Sequence, residues 1–327
     1  MRALVYTGTE ASELRDVPAP DPSAGMSIVD VTLCGICGSD MHAWHGHDAR
    51  RVPPLVLGHE AVGVARDGPM AGQRVALNPL MTCGKCPACL SGEVHLCPHR
   101  ELIGMRLPGA FAEQVAIKHE NLSAMPDTLA DSDAVLAEPL ACAVHAVRLG
   151  LQVASEKPRR AVVLGGGAIG LLSAMVFREY GVTDIAIAET NPLRAETLRA
   201  VLEAEIYNPL TDTPPEAEMI LDAVGMGATR RAASAQVTPG GTIVHIGLQD
   251  GAEGLDTRRI TLQEIRFVGT YCYRLDDFAE ALRLLAEGRV TGAGWSETRD
   301  LSAGAQSFVD IHTGQAPPKI VLSMGDL

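Results

Sequence analysis

The sequence predicts a two-domain α/β protein, with a β-rich N-terminal domain of short strands joined to a doubly wound domain whose parallel sheet is covered by helices. Three observations carry this expectation. Up to about residue 120, short strand-like runs alternate with Gly/Pro-rich turns. Around residue 131 the texture changes to apolar residues at helical spacing. From Ala161 onward the order becomes strand, glycine turn, helix, strand, and further βα units follow. At 327 residues the chain is long for a single core, which agrees with two domains.

In chain order, the run from Ala3 to Tyr6 reads as a first strand, and "SIVDVTL", "AVGVA", "QRVALNP" and "FAEQVAI" continue the β-rich part. "DSDAVLAEPLACAVHAVRLGL" predicts a helix opened by Asp131 or Asp133 as cap. "AVVLG" is a buried strand, "GGAIGLLSAMVFREYG" a helix after a glycine turn, and "DIAIAE" the next strand. "MILDAVG", a helix over 228–237 and "GTIVHIGL" repeat the pattern. "RLDDFAEALRLLAEGRV" predicts an amphipathic helix with Phe278, Leu282 and Leu285 on one face, and "APPKIVLSM" returns to strand.

A net charge of −13 argues against nucleic acid or an anionic membrane as partner, and "KPRR" at 157–160 is too short to change that. The N-terminus lacks the apolar core and cleavage site of a secretory signal, and no apolar run approaches the roughly 20 residues needed to span a bilayer. A cytoplasmic protein with reduced thiols is expected.

Four of the eight cysteines stand in "CGKCPACLSGEVHLC" as Cys83, Cys86, Cys89 and Cys97. A redox pair or short disulfides would be the alternative reading. In a reducing compartment, clustered cysteines at this spacing more often close a tetrahedron around zinc. Four thiolates leave no open position, so such a zinc is structural.

"VVLGGGAIGLL" places Gly165, Gly167 and Gly170 in a G-x-G-x-x-G pattern, with Ala168 and Ile169 opening the helix. The context is a strand before, a helix after, and Glu189 at the end of the next strand, which is the setting of a dinucleotide site. The helix N-terminus offers unpaired N–H groups to a pyrophosphate. A carboxylate at Glu189 accepts from ribose hydroxyls and repels a 2′-phosphate; Arg194 follows five residues on. NAD is therefore expected over NADP.

A second metal set is scattered through the first domain: Cys37, Ser39, Asp40 and His42 in "LCGICGSDMHAW", His59 and Glu60 in "LGHEAVG", and Glu138 in "LAEPLACAVHA". Taken singly, a cysteine is usually core and a His–Glu pair usually surface. Together, a thiolate, an imidazole and a carboxylate suit a catalytic zinc with a position left for water or substrate.

These motifs, with "FAEQV", "LGGGAIG" and "PKIVL", fall in the order of the zinc-dependent medium-chain dehydrogenases, the alcohol dehydrogenase family, over essentially the full length. "CGSD" followed by "EPL" most resembles the sorbitol (polyol) dehydrogenase branch. The resemblance implies a GroES-like catalytic domain with two zinc sites over residues 1–135 and 286–327, and a Rossmann NAD-binding domain over 136–285. It implies Cys37 and His59 as catalytic ligands, with Glu60 and Glu138 competing for or sharing the third place. A thiolate and one carboxylate neutralise Zn2+, so one carboxylate bound at a time is expected. By the same resemblance Ser39 takes the hydroxyl proton and passes it through the cofactor ribose to His42, and Asp40 holds His59. It further implies a small-molecule alcohol substrate and a homo-oligomer, dimer or tetramer. Cys34 and Cys142 read as packing residues and His145 as a structural histidine. Cys272 stands where polyol dehydrogenases often carry an arginine, while Trp44, Tyr271 and Tyr273 suit either an apolar pocket or core.

Overall fold

A seven-stranded sheet organises one part of the computed structural model, which describes residues 1–21 and 23–325. Its central strand, Met26–Gly35, pairs antiparallel with Glu60–Ala65, Gln114–Lys118 and Lys319–Ser323. Leu122–Ala124 and Ser296–Asp300 form the two ends. The strand Lys319–Ser323 is buried at all five positions, which explains its near-continuous apolar run. The underlying core includes Val29, Phe111, Ile117, Phe308 and Leu322.

The second sheet has six strands, all paired parallel. Their order is Glu205–Tyr207, Asp184–Ala188, Arg160–Leu164, Ala217–Asp222, Val237–His245, Arg266–Gly269. Counted along the chain this is 3-2-1-4-5-6, the doubly wound arrangement whose strand order reverses between the first and fourth strands. Val162, Ala186, Ile220 and Ile243 fill the sheet interior.

The chain divides into two units, Met1–Glu138 with Arg274–Leu327, and Pro139–Tyr273. The sequence reading drew these boundaries at 135 and 286. The difference lies in the helix Leu275–Ala286, which buries Phe278, Ala281, Leu284 and Leu285 and runs against the short helix Asp131–Ala134 of the first unit. Leu284, rather than Leu282, lies on the buried face.

The single helix expected from residue 131 is two, Asp131–Ala134 and Ala137–Val153. Neither proposed aspartate caps it. Asp131 instead pairs with Arg74 and accepts from the Thr32 hydroxyl at 2.7 Å, while Asp133 accepts from the Gly292 N–H at 2.7 Å. Long-range partners outcompeted the local cap. No helix among the described residues is long and apolar enough to cross a membrane.

Candidate metal and cofactor sites

Cys37 is the N-cap of the helix Gly38–Trp44, closed by a capping box in which the Cys37 N–H donates to Asp40 Oδ2 at 3.0 Å. His59 and Glu60 enter the site where the chain starts the strand Glu60–Ala65, paired in register with Gly35. Donor atoms of Cys37, His59 and Glu60 lie within 4.8 Å of one another. That set of sulfur, nitrogen and oxygen, with His59 and Glu60 buried and Cys37 half-buried, fits a borderline divalent metal.

Asp40, fully buried, supports two of the three donors. Besides Cys37 it meets His59 Nδ1 at 3.4 Å and the Gly58 N–H at 3.4 Å. Burial alone would lower the His59 pKa, but Asp40 and Cys37 beside it raise it well above the usual value. Burial raises Asp40, yet His59 and Arg51 hold it below the ordinary carboxylate range. Ser39 Oγ stands 3.4 Å from His59 Nε2. Glu138 is not part of the close triad, although it is buried nearby; burial, with Glu60 adding to it and His59 opposing, pushes its pKa up to about 7.

Two residues of this centre escaped sequence reasoning. Lys319, in the quoted "PKIVL", is ion-paired to Glu60 with both side chains 1% exposed, and its ammonium donates to the Ile36 carbonyl at 2.9 Å. Burial disfavours the charge, but Glu60 and Cys37 hold the Lys319 pKa above its usual value. Gly35 makes room for the pair, since a Cβ there would stand 2.2 Å from Glu60 Oε2. A lone cation at the head of the apolar run Ile320–Leu322 was the available signal. The second is Arg51, buried, which donates to Asp48 Oδ2 at 2.7 Å, the Gly104 carbonyl at 2.8 Å and Ser39 Oγ at 3.2 Å. With Arg50 it holds Asp48 down to about 2 against the effect of burial.

The four-cysteine run closes on itself as expected from its spacing. All four thiols lie within 4.8 Å of one another, with Cys86–Cys89 at 3.5 Å, Cys83–Cys97 at 3.6 Å and Cys83–Cys89 at 4.0 Å. A tetrahedron with Zn–S bonds of about 2.3 Å has edges of about 3.8 Å. The set therefore fits zinc without rearrangement. Backbone N–H groups of Lys85 and Cys86 bring the Cys83 thiol down to about 6.

In the second unit the glycine turn follows the strand Arg160–Leu164 and opens the helix Ala168–Glu179, capped by Gly167. Gly165 has φ +100°, and a Cβ on Gly170 would stand 1.8 Å from the Gly165 carbonyl oxygen. Around Gly167 nothing lies within 4 Å of an added Cβ, so Ala168 and Ile169 present their N–H ends beside open space. Glu189 is buried, accepting from the N–H groups of Gly166 at 3.0 Å and Asn191 at 2.7 Å. Arg194 reaches it, with Nε 3.2 Å from Oε2. Asp222, unassigned from sequence, sits fully buried where the strand order reverses and accepts from the N–H groups of Val224 and Gly225 at 3.0 and 2.8 Å. Gly170→Ala is expected to weaken NAD(H) binding ~10- to 100-fold through the forced shift of this turn. Fluorescence titration of NADH, with circular dichroism to verify folding, reads the effect.

The other residues singled out from the sequence occupy varied settings. His42 follows Ser39 by one helical turn and faces His47, ring centroids 5.4 Å apart. Trp44 and Tyr273 are buried core, Trp44 packing 6.0 Å from Phe308. Cys34 is buried behind the metal centre, and His145 is buried in the helix Ala137–Val153. Cys272 has φ +46°, while Arg274, two residues on, is committed to Glu93.

A β domain gathering metal donors and a doubly wound domain with a dinucleotide turn define a nicotinamide-dependent alcohol oxidoreductase. The chain belongs to the zinc-type alcohol dehydrogenase family, as comparison with known proteins shows. The alcohol dehydrogenase GroES-like domain matches residues 23–127, and the zinc-binding dehydrogenase domain matches residues 168–287. The 2-dehydro-3-deoxy-L-galactonate 5-dehydrogenase of Pseudoalteromonas atlantica is 31% identical over 89% of each chain. A sorbitol dehydrogenase of Halalkalibacterium halodurans is 31% identical over 89% of this chain and 90% of its own. An Escherichia coli alcohol dehydrogenase solved with NADH superposes with a TM-score of 0.89 at 25% identity, covering 99% of both chains. The protein is thus a zinc-dependent dehydrogenase acting on a small-molecule alcohol, with GroES-like and Rossmann domains.

Proposed function

We propose that this protein oxidises a secondary alcohol of a polyol or related hydroxylated small molecule, with NAD as hydride acceptor and two zinc ions per chain, one catalytic and one structural. The convergence of the Cys37, His59 and Glu60 donors on one centre carries this reading. When bound, zinc acidifies the substrate hydroxyl as a Lewis acid and NAD takes up the hydride.

The chain's own residues prepare that chemistry. Cys37 and Glu60 balance a divalent charge, and Asp40 orients His59. Lys319 pairs with Glu60 and balances its buried charge while no metal is bound. Glu138, buried nearby with its pKa raised by burial, is the second carboxylate available to the centre. Ser39 takes the hydroxyl proton as it releases its own towards His42 and solvent, and Arg51 orients the serine by donating to its Oγ at 3.2 Å. Cys83, Cys86, Cys89 and Cys97 hold the structural ion.

Gly165, Gly167, Ala168, Ile169 and Gly170 seat the pyrophosphate, and Glu189 accepts from the ribose hydroxyls. Arg194 is already paired with Glu189, which leaves it poorly placed to meet a 2′-phosphate and supports NAD over NADP. The deoxygalactonate and sorbitol named for the two relatives support a polyhydroxylated substrate. A dimer or tetramer belongs to the same proposal, and light scattering on the purified enzyme reads it.

The test is NAD reduction screened across polyols, sugar acids, simple secondary alcohols and threonine, with zinc counted per chain and NADP run alongside. Turnover of a polyhydroxylated compound by a two-zinc enzyme preferring NAD is the expected result. Turnover confined to simple alcohols or to threonine would overturn the substrate class.

A further inference from the structure

Outside the dehydrogenase centre, one group of chemistry-bearing side chains is brought together from three distant parts of the first unit. We propose that Glu10, His45 and His312 form a third metal site, which takes an exchangeable divalent ion of the Zn2+, Ni2+ or Cu2+ class. Donor atoms of the three lie within 4.8 Å of one another. His45 Nε2 and His312 Nδ1 stand 2.9 Å apart. Two imidazole nitrogens about 2.0–2.1 Å from one ion at a right angle are separated by about 2.9 Å, so the pair already has the spacing of adjacent ligands. The two nitrogens face each other within hydrogen-bond distance, so both ring edges are turned towards one point.

The carboxylate is delivered by an unusual backbone. Glu10 lies in the turn between strands Arg2–Gly8 and Ala11–Asp16, at φ +56°, a region that non-glycine residues seldom occupy. Its N–H donates to the Trp44 carbonyl at 2.7 Å, which fixes the turn to the end of the helix Gly38–Trp44. Next to it, Thr9 fills the space beside Gly46, whose φ of +76° bends the chain between His45 and His47. His312 ends the helix Gly304–His312. The His47 ring, 5.7 Å from that of His45, is a further donor within reach of a side-chain rotation.

Two imidazoles and one carboxylate select borderline transition ions over Mg2+ or Ca2+, which prefer all-oxygen shells. Glu10 and His312 are exposed and His45 half-buried, so an ion would exchange with solvent. A bound ion would tie the hairpin turn and the C-terminal helix to the end of the helix that carries Ser39, Asp40 and His42. It would act by clamping that helix, independently of the catalytic metal.

The experiment uses the zinc-loaded full-length enzyme, dialysed against metal-free buffer and then equilibrated with Ni2+, with Ni and Zn counted per chain by elemental analysis. The wild type is expected to retain its resident zinc and take up one Ni2+ per chain, with a rise in melting temperature as binding to the folded state requires. Mg2+ should produce neither effect. Because Glu10 and His312 are exposed, Glu10→Gln and His312→Asn should fold normally, keep their resident zinc and each weaken Ni2+ uptake by more than ~10-fold. Absence of Ni2+ uptake by the wild type, or uptake that survives either substitution unchanged, would overturn the proposal. The resident zinc count separates this outcome from a failure of the catalytic or structural sites.

Discussion

Lys319→Met is expected to destabilise the first unit of the metal-stripped protein by about 3–5 kcal/mol, the cost of leaving one member of a buried ion pair alone. Glu60 and Lys319 are each 1% exposed, so the carboxylate left behind cannot be rescued by water. Methionine matches the aliphatic part of lysine closely, so the loss reports the charge rather than a cavity. Urea unfolding read by tryptophan fluorescence is suited to the measurement, because both tryptophans of the chain, Trp44 and Trp295, lie in this unit. Glu60→Gln placed in the same chain should recover much of the deficit, since a neutral amide carries a far smaller burial penalty. Saturating zinc should also recover part of it, because a divalent ion at the Cys37–His59–Glu60 centre supplies positive charge from the other side. A loss under about 1 kcal/mol would show that the pair does not hold this corner of the sheet.

Cys37→Ala is expected to lower kcat/KM by about a thousandfold or more and to reduce zinc by one equivalent per chain. A zinc-bound hydroxyl ionises near neutral pH, whereas a free one does so near 16. Without the thiolate that anchors the ion, proton removal becomes limiting, and a thousandfold corresponds to about 4 kcal/mol of barrier. Alanine also removes the sulfur that accepts from the Ser39 N–H at 3.5 Å, a weak cap whose loss should cost little stability. The informative contrast is Cys89→Ala, which should also lose one zinc but chiefly lower thermal stability. Full activity in Cys37→Ala would remove the basis for placing catalysis at this centre.

Features that depend on neighbours in the chain were legible before any coordinates. The Gly165–Gly170 turn is such a case: a positive φ at Gly165 and the closeness of Gly170 to its carbonyl are demands made over six residues. The four-cysteine loop is another, since its ligands come from fifteen consecutive positions and the turn glycines lie between them. Cys37, Ser39 and Asp40 were singled out from the compact "CGSD" motif, and the structure adds the capping box that arranges Cys37 and Asp40 within one helical turn.

What the sequence by itself determined is therefore the two-domain architecture, the dinucleotide turn, the closed cysteine tetrad and the residue types of the candidate metal centre. Each rests on local backbone sterics, periodicity or ligand spacing, which act between residues close along the chain. Only the tertiary structure decided that Glu60, rather than Glu138, joins Cys37 and His59 in the close triad. It alone brought Lys319 to Glu60, Arg51 to Ser39, and Glu10, His45 and His312 together. Sheet register and helix packing set those meetings: the strand from Lys319 lies beside Met26–Gly35, which also pairs with the strand from Glu60. Electrostatic partnership depends on distance in space and on burial, and neither is encoded in the separation of residues along the chain.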